Sequence, residues 1–211
     1  MTALILRDVR RGLSGGTATI VIGFFLLVTI LFPFAIGPDG AVLARVGGGV
    51  IWAAALLAAL LPVERLVAPD LEAGVFDQLA VRGHSLVAVA AAKMLAHWIG
   101  FAPLMMVAAV AAAGLLDLSA ATLLRVELGL LLGTPGLAAL GVATGALTAS
   151  LRGAGALAGV VMLPLAVPVL IFGAGALEGG AGAFKLLAAV SLLLVAGAPF
   201  VAGGAIRAGM R

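Results

Sequence analysis

The segment AKMLAHW sets three reactive side chains, Lys93, His97 and Trp98, into an otherwise aliphatic run. Lys93 and His97 are four residues apart and share one face of a helix, with Trp98 on an adjacent face. An imidazole so placed could ligate iron. It could equally hydrogen-bond to a neighbouring helix while Lys93 extends its ammonium towards water. A single histidine without a second ligand is a poor metal signature, and the absence of cysteine excludes disulfides and thiolate metal sites.

The other concentration of reactive groups is ERLVAPDLEAGVFDQLAVRGHS, residues 64–85. It holds six of the chain's twenty-one charged residues: Glu64, Arg65, Asp70, Glu72, Asp77 and Arg82. Ionic recognition suits it better than catalysis. No paired carboxylates, His/Asp cluster or Ser/Lys dyad converge at plausible spacing within the apolar segments, which disfavours a membrane-embedded enzyme. Neither Lys93 nor Lys185 sits in G-x-x-x-x-G-K-[ST], so nucleotide chemistry of the Walker A kind must lie elsewhere.

The elements that position these groups follow from composition. The 211 residues are 64% hydrophobic and only 10% charged, with a mean hydropathy of +1.31. Soluble domains carry about 25% charged residues, so this is an integral membrane protein. A hydrocarbon core of about 30 Å needs about 20 apolar helical residues per crossing. Uncharged or nearly uncharged intervals of that length place six transmembrane helices at about 17–36, 46–63, 86–113, 122–150, 153–177 and 186–206, in one domain spanning 1–211. The fold class expected is all-α, because the alternating polarity of β-barrel strands is missing. Residues 64–85 then join the second and third spans.

Orientation follows from the arginines. With Met1 inside, Arg7, Arg10, Arg11, Arg65, Arg82, Arg152, Arg207 and Arg211 lie on the inner side, against Arg45, Arg125 and Lys185 outside. That asymmetry puts both termini and the 64–85 segment in the cytoplasm of a bacterial inner membrane. Arginines scattered over short loops make no nucleic-acid surface. The first apolar run is about 20 residues, longer than the 7–15 of a signal peptide, and reads as a retained anchor.

Close packing is written into the spans. Gly129/Gly133, Gly141/Gly145 and Gly155/Gly159 repeat a small residue one turn apart. Six prolines, Pro33, Pro103, Pro135, Pro164, Pro168 and Pro199, fall at membrane depth, where each removes a backbone donor. Arg125 and Glu127 mark the outer interface.

Within 64–85, Pro69 is well placed to start a short helix. On it Leu71, Val75 and Leu79 share one face, and Asp70, Gly74 and Asp77 the opposite one. An acidic face is repelled by anionic lipid, so a basic or polar protein groove is its better mate.

Glu72-Ala73-Gly74 followed by Asp77-Gln78-Leu79 resembles the coupling helix of ABC-2-type permeases. More specifically, LFPFAIGP (31–38), VIWAAALLAALL (50–61), ERL (64–66), DLEAGVFDQL (70–79), AKMLAHW (92–98), LLLGTPGLAALG (130–141) and PLAVPVLIF (164–172) resemble, in order and over most of the chain, the haem exporter protein B family. This is the permease-like subunit of the bacterial cytochrome c maturation system. The resemblance implies a non-catalytic subunit, partnered by a cytoplasmic ABC ATPase and a haem-handling membrane subunit, with a periplasmic haem chaperone as a further possible contact. It implies that Asp70, Glu72, Gly74, Asp77 and Gln78 meet the ATPase. It offers haem as substrate of the complex, with Lys93, His97 and Trp98 as candidate contacts; no intrinsic cofactor is expected. The alternative is an ABC-2-type permease exporting another amphipathic or lipid-like substrate.

Overall fold

In the computed structural model the chain is described over residues 1–14, 16–37, 39–151, 154–178 and 180–210. Arg152 and Arg211, two of the arginines assigned to the inner side, lie outside the described residues. Those described form an all-helical molecule without a strand. The helices are α1 (Thr2–Ser14), α2 (Thr17–Ile36), α3 (Gly40–Leu60), α4 (Val63–Glu72), α5 (Val75–Val81), α6 (Leu86–Leu115), α7 (Ala120–Thr148), α8 (Ala154–Gly175) and α9 (Ala181–Gly209). Six are long and apolar enough to cross a membrane: α2, α3, α6, α7, α8 and α9.

The boundaries show what sets each span. α3 begins at Gly40 rather than at 46, because the Asp39 carboxylate accepts the Ala41 and Val42 N–H groups at 2.9 and 3.2 Å and so starts the helix early. Arg45 is thereby inside the helix. α9 likewise begins at Ala181, five residues before its expected start at 186, and takes in Lys185. α1 lies outside every expected helix: its arginines enter the sequence reading only as a sign of orientation, yet it folds as an amphipathic rod packed on α6 and α2.

At the centre stands α7, which packs against α9, α6, α8, α4 and α3 and is the most buried span. Its glycines explain that position. A Cβ at Gly145 would lie 2.7 Å from the Val63 carbonyl oxygen, so α7 meets the start of α4 backbone to backbone. Gly129 and Gly133 instead receive the Trp52 indole of α3, and Gly173 of α8 closes on the same ring. Beside Pro135, which has no N–H of its own, the Gly136 N–H donates to Ser191 Oγ on α9 at 2.9 Å, the kind of side-chain help a proline-bearing transmembrane helix needs.

The buried residues fall into two clusters. The larger surrounds Trp52, Phe25, Ile51, Met105, Leu130, Leu137, Met162 and Leu187 within the spans. A smaller one, with Val67, Phe76, Leu86, Val89, Val142 and Ile206, beds α4 and α5 onto one end of the bundle.

Candidate functional site

At that end the chain makes an elbow. One helix starting at Pro69 was expected; instead α4 runs through Pro69 to Glu72, and α5 begins at Val75. Between them Gly74 adopts a left-handed φ of 65°, which costs a residue with a Cβ about 1 kcal/mol or more and breaks the rod in two. This break changes which residues are presented. Leu71, Val75 and Leu79 are half-buried, with Leu71 and Leu79 against the smaller cluster, and Glu72, Asp77 and Gln78 are exposed together with Val81 and Arg82. Asp70 departs from the expected outward face: only 2% of it is exposed.

The reason is an ion cluster. Asp70 Oδ2 accepts from Arg7 Nη2 at 2.7 Å and from Lys93 Nζ, while Asp70 Oδ1 accepts from Arg11 Nη1 at 2.9 Å. Lys93 Nζ also donates to Asp8 Oδ2 at 3.1 Å and to the Leu66 carbonyl at 3.0 Å, so all three of its donors are used. Arg7 Nε closes the circuit onto Asp8 Oδ1 at 2.8 Å. Below the ammonium lies the Phe76 ring of α5, its centroid 5.6 Å away. Burial works to lower the Arg7 pKa, but Asp8 and Asp70 outweigh it and hold the guanidinium above its ordinary value. The cluster therefore ties α1, α4 and α6 together at one point.

Lys93 and His97 line one cavity beside the ion cluster, whereas Trp98 turns to α7. Lys93 is spent on the carboxylates and does not reach towards water; its side chain is 6% exposed. Trp98 donates its indole N–H to Thr134 Oγ1 of α7 at 3.0 Å. His97 stacks on Phe101 at 4.7 Å and turns Nε2 inward, where it has no hydrogen-bond partner among the described residues. Nowhere among those residues do three or more His, Asp or Glu side chains gather as a metal site would require.

The sequence reading missed Arg7, Asp8 and Arg11 as members of this site. The signal was present: an ammonium inside an apolar span demands a carboxylate, and few are within reach of that end. Arg125 donates to the Leu177 carbonyl at 3.0 Å and so ties α7 to the segment that follows α8.

Six apolar spans and an ion-clamped polar elbow define a polytopic, all-α integral membrane protein. Residues 1–209 match the model of the CcmB protein family, and the chain belongs to that family. It is 42% identical over 218 aligned positions to heme exporter protein B of Rhodobacter capsulatus and 40% identical over 218 to that of Paracoccus denitrificans, covering all of both chains. With heme exporter protein B of Escherichia coli K12 the identity is 37% over 190 positions, 87% of this chain and 86% of that one.

Proposed function

We propose that this chain is the permease-like, non-catalytic membrane subunit of an ABC complex in cytochrome c biogenesis. A partner ATPase on the cytoplasmic side supplies hydrolysis, and the α4–α5 elbow receives its motion. The complex exports haem or releases a haem-loaded chaperone, together with a haem-handling membrane subunit. Both termini face the cytoplasm of a bacterial inner membrane. Supporting this reading are the family membership, the relatives' name and the excess of arginine at the elbow end.

One observation carries the coupling role. The exposed edge Glu72, Asp77 and Gln78 projects from a segment whose base is anchored in ions and whose bend is fixed by Gly74. Force on such an edge reaches α6 through Asp70 and Lys93. Asp70 is thus the inner anchor of the coupling surface, while Glu72, Asp77 and Gln78 make the contact, with basic groups of the ATPase opposite the carboxylates.

Two measurements test this. Reversing both exposed charges, Glu72→Lys with Asp77→Lys, should weaken co-purification of the ATPase about tenfold or more and lower c-type cytochromes in cells, with the fold unchanged. Normal co-purification and normal cytochromes would remove the elbow from the interface. Because the chain has no cysteine, Gln78→Cys provides a unique thiol. A membrane-impermeant maleimide should label it only after the inner membrane is opened, and labelling in intact spheroplasts would invert the proposed orientation.

A further inference from the structure

A cavity of about 470 Å³ lies beside the ion cluster, between α1, α2, the α3–α4 junction and α6. Its walls divide by chemistry. Val21, Leu66 and Phe101 supply apolar wall beside the His97 ring, whereas Arg11, Arg65 and Lys93 line it against a single carboxylate, Asp8. Lys93 is fully occupied by Asp70, Asp8 and Leu66. Arg65 is exposed and makes no hydrogen bond or ion pair among the described residues, and the side chain of Arg11, bound to Asp70 through one nitrogen, is 62% exposed. The unpaired guanidinium of Arg65 and the remaining donors of Arg11 are thus available at the rim of the chamber.

The chamber is room left by the helices themselves. Gly100 is buried, yet a Cβ built on it would find nothing within 4 Å, and the same holds for Gly12 on α1. The neighbouring surface is suited to bilayer contact: α2 exposes Ile20 and Leu27, and α1 is an amphipathic helix with Arg10 and Arg11 on its exposed side.

We propose that this cavity binds one anionic phospholipid, its phosphate at Arg11 and Arg65 and part of an acyl chain in the space past Gly100. A free phosphate would leave the apolar wall unfilled, and a zwitterionic lipid would carry no net charge to match a lining of three cations against one carboxylate. The site is separate from the exposed edge of the elbow and does not depend on the coupling role.

Native mass spectrometry of the full-length protein in mild detergent, titrated with dioleoyl phosphatidylglycerol or dioleoyl phosphatidylcholine, tests it. The anionic lipid should bind about tenfold tighter. Gly100→Leu, which fills the chamber, should abolish that binding while leaving the thermal midpoint unchanged. Arg65→Gln, at an exposed and unpaired residue, should reduce the preference for phosphatidylglycerol about fivefold. Equal binding of the two lipids overturns the proposal. So does phosphatidylglycerol binding that survives both substitutions, or displacement of the lipid by stoichiometric haem, which would make the cavity a haem site.

Discussion

Asp70→Ala is expected to destabilise the protein by about 3 kcal/mol, read from reversible unfolding in detergent micelles followed by the fluorescence of Trp52 and Trp98. Removing one partner of a buried ion pair commonly costs about 3–5 kcal/mol, because the other charge is left without compensation. Here the side chains of Asp70 and Lys93 are 3% and 6% exposed, so solvent does little to replace the lost partner. Asp8 remains on Lys93, which puts the expected loss at the low end of that range. Arg11 is a weak contributor by comparison, since its mostly exposed guanidinium gains no more than about 1 kcal/mol from the pair. Adding Lys93→Met to the Asp70→Ala protein should restore part of the stability, because the buried ammonium, left with Asp8 as its single counter-ion, is then gone. If Asp70→Ala unfolds within about 0.5 kcal/mol of the unmodified protein, the cluster does not anchor the elbow.

The second large effect is expected at Trp52. Its indole is wholly buried, with a Cβ on Gly133 falling 2.7 Å from its Cη2 and one on Gly173 falling 2.5 Å from Cε2 and Cζ2. Trp52→Ala should cost about 3–5 kcal/mol, the usual toll of emptying an aromatic site. Gly173→Ala should cost about 3 kcal/mol, at the upper end of overpacking, since the ring is held on its other side by Gly129 and Gly133 and cannot retreat. In the Trp52→Ala background the same methyl has space, and its cost should fall close to zero. Strict additivity of the two changes would mean that the ring and Gly173 do not share this space.

Much of the fold was legible in the sequence because hydropathy and charge are local properties. Six spans could be counted from the intervals between ionised residues, and 64–85 stood out as the polar segment between the second and third. Two kinds of information were not local. That Asp70 faces inward depends on cations 59 and 63 residues away, and the break after α4 on the left-handed turn at Gly74, neither of which helical periodicity contains. Similarly, the glycine repeat at Gly129 and Gly133 was readable as a place of close approach, but not as the seat of Trp52. The spacing of Lys93, His97 and Trp98 puts Lys93 and His97 on one cavity wall, but not the carboxylates that hold Lys93 or the Thr134 hydroxyl of α7 that takes Trp98.

The order of the charged residues along the chain also bears on biosynthesis. Asp8 and Asp70 leave the ribosome before Lys93, and both are in place when α6 arrives at the translocon. An ammonium entering the bilayer alone costs about 2.5–3.5 kcal/mol, comparable with the gain from several leucines. With its counter-ions already synthesised, the third span can be threaded late against waiting acids, and a shortened nascent chain lacking the first fourteen residues should insert that span less efficiently.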